Sequence, residues 1–174
     1  MTEKSARGIV IVYTGDGKGK TTSALGVALR AVGHGMTVIF IQFVKGETVG
    51  EHLFASKQHF FQVIQVSTGS SFTKNAEELE KEARETLACA EEKIACGQYD
   101  IVILDEVFVA ISKGLITVGQ VIDLIRNKPD SVNLVLTGRN APGEVMELAD
   151  LVTQMKNIKH PFQKSVGARR GIDY

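Results

Sequence analysis

A chain of 174 residues, 44% hydrophobic and 23% charged, has the balance of one folded domain, spanning 1–174, with enough length to bury a substantial core. Its 20 basic and 20 acidic side chains cancel, so no overall field gathers nucleic acid or an acidic membrane. No apolar run approaches the roughly 20 residues that cross a bilayer, and Met1–Gly8 lacks the apolar core of a signal peptide. Cys89 and Cys96 fall about 10 Å apart on one predicted helix, too far for a disulfide, and a cytoplasmic location is expected.

The first element is an apolar run, Ile9–Tyr13, which predicts a buried strand. A glycine-rich turn leads into a helix over Thr21–Val32, closed by Gly33-His34-Gly35. Val38–Phe43 is the second strand. The polar stretch Lys45–Gln58, with Gly46 and Gly50, is expected to be a loop. Strand Phe61–Val66 follows, then a second loop, Ser67–Asn75. Helix Ala76–Cys96 opens on alternating charges that suit a solvated face. Beyond it come strand Ile101–Leu104, helix Val118–Asn127 stopped by Pro129, strand Asn133–Thr137, helix Gly143–Ala149 and strand Leu151–Lys156. Near-continuous apolar strands alternating with helices predict an α/β fold, a parallel β-sheet flanked by helices. Ligands of such sheets sit beyond the carboxyl ends of the strands, where both loops also emerge.

The chemistry concentrates there. Thr14–Thr22 reads T-G-D-G-K-G-K-T-T directly after the first strand. Glycines let backbone N–H groups converge on phosphate oxygens, the helix N-terminus adds partial positive charge, and Lys20 counters the anion. The hydroxyl of Thr21 suits an accompanying Mg²⁺. The loop departs from G-x-x-x-x-G-K-[ST]: counting back from Gly19-Lys20-Thr21, the first glycine falls on Thr14, and starting from Gly15 leaves the loop one residue short. Asp105 and Glu106 end an apolar strand, the position of a Mg²⁺-associated acid, though spacing does not choose between them. Arg139, at a strand's carboxyl edge, suits bidentate phosphate contact; its alternative is a surface turn. Arg30, one helical stretch past the loop, reaches either the nucleotide or solvent. The four histidines show no metal-ligand spacing, which disfavours zinc. Lys164, Arg169 and Arg170 make the C-terminus basic, either a solvated tail or an anchor for a phosphate-rich ligand.

Several segments together resemble the P-loop-type ATP:cob(I)alamin (corrinoid) adenosyltransferase family. They are T-G-D-G-K-G-K-T-T-S-A-L-G at 14–26, L-R-A-V-G-H-G at 29–35, Q-F-V-K-G at 42–46, L-D-E at 104–106, L-T-G-R at 136–139, E-L-A-D at 147–150, K-H-P-F at 159–162 and G-I-D-Y at 171–174. The resemblance implies a P-loop NTPase (RecA-like) core, usually a homodimer, that binds MgATP and a reduced corrinoid, with a flavoprotein reductase as candidate electron donor. The Co(I) centre attacks the ribose C5′ of ATP, forming adenosylcobalamin and releasing inorganic triphosphate. On that pattern Gly15, Asp16, Gly17, Lys18, Gly19, Lys20, Thr22 and Arg139 meet the triphosphate, Thr21 and Glu106 hold Mg²⁺, and Arg30 supports the nucleotide.

Two departures stand out. Family members commonly carry a longer N-terminal segment over the corrinoid, and an aromatic pair in T-G-F-x-W that displaces the lower cobalt ligand. Here Thr68-Gly69-Ser70-Ser71-Phe72 leaves Phe72 as the candidate wedge, with Ser70 in place of the first aromatic. These departures frame one alternative, a catalytically weak or inactive nucleotide-gated binding protein for corrinoid or ATP; a generic P-loop kinase or NTPase is a further one, disfavoured by the altered loop.

Overall fold

The computed structural model describes residues 7–174 apart from 45, 47, 68, 70–73 and 162–164. The elements run β1 (Val10–Thr14), α1 (Lys20–Gly33), β2 (Val38–Gln42), α2 (Gly50–Ala55), β3 (Phe61–Gln65), α3 (Ala76–Ala95), β4 (Ile101–Asp105), α4 (Val107–Ser112), α5 (Val118–Asn127), β5 (Asn133–Thr137), α6 (Gly143–Leu148) and β6 (Leu151–Gln154). The strands form one sheet in the order β3-β2-β4-β5-β1-β6, every pairing parallel. In register, Val12 lies beside Leu136 and Val152, and Ile41 beside Leu104.

Because alternate strand residues face opposite sides, each strand feeds two cores. Val10, Val12, Ile39, Ile41, Val102, Leu104, Leu134 and Leu136 pack against α3, α4, α5 and α6 through residues such as Leu87, Ala90, Phe108, Val121 and Val145. Ile11, Val38, Phe40, Ile103 and Val135 face α1 instead. That helix presents Ala24, Ala28 and Ala31, spaced to share one face, and small side chains there let it sit close to the sheet. Burial on both faces explains why the strands read as continuous apolar runs.

Three details differ from the sequence expectation. The stretch read as a loop over Lys45–Gln58 contains α2, whose residues are not buried; a short helix without an apolar stripe gives no periodic signal. Helix α4 starts directly after β4, turned by Glu106 in the left-handed region at φ 59°. Strand β6 ends at Gln154, and the following Met155 and Lys156 back the glycine loop instead: Met155 N donates to Thr14 O at 2.7 Å and Gly17 N to Met155 O at 2.8 Å.

Candidate active site

Strand order decides what meets at the carboxyl edge. Strand β5 lies between β1 and β4, so the glycine loop after β1, the acids closing β4 and Arg139 after β5 converge on one cleft. The loop itself is shaped by close backbone approach. At Gly15, with φ +98°, a Cβ would stand 2.4 Å from Met155 O, so only glycine fits. Gly19, at φ +116°, caps α1, and a Cβ there would meet nothing within 4 Å. The N-terminus of α1 therefore begins at an open position of the loop, and the unpaired N–H groups of a first helical turn favour an anion.

Lys20 is buried, 8% exposed, and its Nζ donates to Gly15 O and Gly17 O at 2.8 Å each. An ammonium has three donors, so two lock the lysine onto its own loop and one remains for a ligand. Burial lowers its pKa below the usual lysine value; Glu106 opposes that shift, while nearby Arg139 adds to it.

A hydroxyl–carboxylate relay runs across the strand ends. Thr21 Oγ1 donates to Asp105 Oδ1 at 2.9 Å, and Thr137 Oγ1 donates to the same oxygen at 2.6 Å. Thr137 Oγ1 also accepts from Glu106 N at 3.0 Å, holding the left-handed turn. Gln42 Nε2 reaches Asp105 Oδ2 at 3.4 Å and Glu51 Oε1 at 3.1 Å. Asp105 is therefore fully buried and engaged by side chains, whereas Glu106 lines the cleft. Among the described residues no cluster of three or more His, Cys, Asp or Glu side chains could hold a metal. The donors present, a threonine hydroxyl and a carboxylate, are hard oxygens of the kind Mg²⁺ takes when nucleotide phosphates and water complete its shell.

The cleft has a volume of about 730 Å³, and Asp16, Gly17, Lys18, Gly19, Lys20, Thr21, Thr22, Glu106 and Arg139 all line it. Gly15 stands behind them, its carbonyl on Lys20. Arg30 is exposed on α1 and is not among the lining residues. Phe72 and Ser70 lie outside the described residues. Sequence reasoning missed Gln42, Glu51 and Thr137, although Q-F-V-K-G and L-T-G-R contain two of them. The tail does reach the cleft, but through Ile172, Asp173 and Tyr174 rather than the basic Arg169 and Arg170.

A parallel sheet of this order, with a lysine-bearing glycine loop after one strand and an acid closing another, defines a P-loop nucleotide-binding protein. The fold is similar to that of the flagellar accessory protein FlaH from Methanocaldococcus jannaschii, with a TM-score of 0.58 at 14% identity over 86% of this chain and 71% of that one. At that identity only the fold is shared. The sequence comparisons are narrower. The model of the ATP:corrinoid adenosyltransferase BtuR/CobO/CobP family matches residues 6–174, and the chain belongs to that family. It is 36% identical to the corrinoid adenosyltransferase of Escherichia coli (strain K12), over 97% of this chain and 86% of the relative. Against the corrinoid adenosyltransferase of a Sinorhizobium species it is 35% identical over 99% of this chain and 83% of the relative. It is also 35% identical to the corrinoid adenosyltransferase CobA of Salmonella typhimurium (strain LT2), over 97% and 86%.

Proposed function

We propose that this chain is a corrinoid adenosyltransferase: it transfers the 5′-deoxyadenosyl group of MgATP to the Co(I) centre of a reduced corrinoid and releases inorganic triphosphate. The observation that carries this reading is the shortened loop with Lys20 locked into it, in a chain matched by an adenosyltransferase family model almost end to end. The electron pair of the cobalt substrate forms the Co–C bond as the C5′–O bond breaks, and the bonding pair departs with the triphosphate. No side chain acts as nucleophile, so the protein's task is to hold ATP and stabilise its leaving group.

Lys20 and Arg139 place positive charge where the triphosphate gains negative charge. Backbone N–H groups of the Gly15–Gly19 loop other than Gly17, whose N–H is held by Met155 O, and of the first α1 turn, with the Thr22 side chain, supply further donors, and Asp16 borders the phosphates. Thr21 and Glu106 hold Mg²⁺, with Asp105 orienting the Thr21 hydroxyl rather than binding the ion. The cation, when bound, neutralises phosphate charge. Arg30 would reach the nucleotide only through a side-chain swing from its exposed position. Phe72 is proposed as the group that displaces the lower cobalt ligand. Residues 1–174 act as one catalytic domain, working as a homodimer in the cytoplasm with a flavoprotein reductase as electron source. No helix among the described residues is long and apolar enough to cross a membrane. The test is incubation with MgATP and chemically reduced cobalamin. Appearance of the adenosylcobalamin spectrum with one equivalent of triphosphate is expected. Orthophosphate or ADP instead, or ATP binding without Co–C bond formation, would overturn the assignment.

A further inference from the structure

The C-terminal turn is fastened to the phosphate loop by one carboxylate. Residues Arg169–Tyr174 fold back on themselves: Asp173 N donates to Arg169 O at 2.8 Å, Ile172 N to the same oxygen at 3.2 Å, and Gly171 N to Tyr174 O at 2.7 Å. Asp173 Oδ2 accepts from Arg169 N at 2.8 Å, which closes the turn. Its Oδ1 forms an ion pair with Nζ of Lys18, which stands in the loop between Gly17 and Gly19. So anchored, Ile172 and Tyr174 line the same cleft as Lys20 and Glu106. They remain 70% and 49% exposed, apolar and aromatic surface held open at the rim of a polar site.

A carboxylate beside a triphosphate site is electrostatically unfavourable unless something offsets it. Here Lys18 offsets it, and the offset is costly to phosphate binding, because a lysine that would otherwise face the anion is drawn to Asp173. A residue that weakens the phosphate grip while shaping an apolar rim is expected to act on the rest of the ligand. We propose that the turn Arg169–Tyr174 is a wall of the nucleotide site against which the adenosyl part of ATP packs, and that Asp173 is the positioning residue that holds it there. The inference rests on ATP being the ligand of this cleft.

The two effects of Asp173 pull in opposite directions, and this makes the test specific. Inorganic tripolyphosphate has the charge of the leaving group but no adenosyl part. Titration calorimetry with Mg²⁺ would compare ATP and tripolyphosphate on the wild type, Asp173→Ala, Asp173→Glu and a chain lacking residues 172–174. In Asp173→Ala and in the shortened chain, the ratio of ATP to tripolyphosphate affinity should fall about tenfold, with tripolyphosphate binding as well or better. Asp173→Glu, which keeps the charge, should restore most of the ratio. A general loss of structure would weaken both ligands alike, and a melting curve checks each variant. A ratio within about twofold of wild type in both Asp173→Ala and the shortened chain would overturn the proposal. A wild type that forms no adenosylcobalamin while its variants show the shifted ratio would overturn the transferase function and support the wall.

Discussion

Thr137 connects the two acids at the end of β4, and removing its hydroxyl alone tests that connection. The side chain is fully buried, donates to Asp105 Oδ1 at 2.6 Å and accepts from Glu106 N at 3.0 Å. Thr137→Val keeps the shape and deletes both bonds. A hydrogen bond to a carboxylate contributes about 1.5–3 kcal/mol, and a buried N–H left alone costs about 1–3 kcal/mol. The added methyl returns less than about 1 kcal/mol. The net expectation is a destabilisation of roughly 3–4 kcal/mol. For a domain of this length that lowers the melting temperature by roughly 6–16 °C. Thr137→Ser keeps the hydroxyl and should lose only about 1 kcal/mol. Circular dichroism melts of the three proteins give the comparison. Adenosylcobalamin formation should fall about 10–100-fold in the valine variant alone, because Glu106 loses the bond that fixes its turn. If the valine and serine variants melt within about 2 °C of each other, the hydroxyl does not join the two strands and the relay is wrong.

Two further predictions concern charge at the same cleft. Burial lowers the pKa of Lys20 below that of an ordinary lysine, so between the lowered and the ordinary value the unfolded chain holds more protons than the folded one. This group therefore makes stability rise with pH across that window, and its burial cost is felt in full below it. Bound triphosphate favours the ammonium, so in the same window ATP affinity should fall as pH rises and binding should draw in a proton; calorimetry in buffers of different protonation enthalpy reads this uptake, which should vanish in Lys20→Arg. Glu106→Gln should raise the Mg²⁺ concentration needed for half-maximal rate about 10–100-fold. An unchanged Mg²⁺ requirement would move the ion away from Glu106.

The parts of the molecule legible in the sequence are those that repeat a physical constraint along the chain. A strand such as β4 is buried on both faces and so is apolar through Ile101–Leu104 before Asp105 closes it, and α1 announces itself by the glycine loop before it and Gly33-His34-Gly35 after it. Lys20 was legible because loop chemistry needs it at a fixed offset, whereas Arg139 was legible only as one of two readings and its place on the cleft follows from β5 standing beside β1. What escaped notice depends on strand order. Thr137 is an ordinary strand residue until β5 is placed between β1 and β4, and Gln42 matters because β2 pairs with β4. Helix α2 escaped because Leu53 and Phe54 stay exposed, so its sequence carries no buried stripe. The tail was read by its arginines, the strongest charges in it, whereas its contact with the loop runs through Asp173.

The same relay separates two adjacent carboxylates that spacing could not tell apart. Asp105 continues β4 with extended backbone, so its side chain stays within the sheet edge, where Thr21, Thr137 and Gln42 donate to it. A carboxylate so engaged and fully buried is already compensated, and moving it onto a cation would strand the buried Thr137 hydroxyl and take the acceptor from the part-buried Thr21 hydroxyl. Glu106 follows in the left-handed region, which turns the chain out of the sheet and leaves its side chain on the cleft beside Lys20. The proposed division of roles follows: the residue inside the sheet aims the threonine, and the residue past its end meets the ligand. Exchanging the pair, Asp105→Glu with Glu106→Asp, conserves charge and composition but overfills the buried position by a methylene, which costs about 1–3 kcal/mol, and draws the cleft carboxylate back by the same length. Activity should then fall more than in Glu106→Asp alone, measured at saturating Mg²⁺. Equal activity in the two variants would show that Asp105 aims nothing.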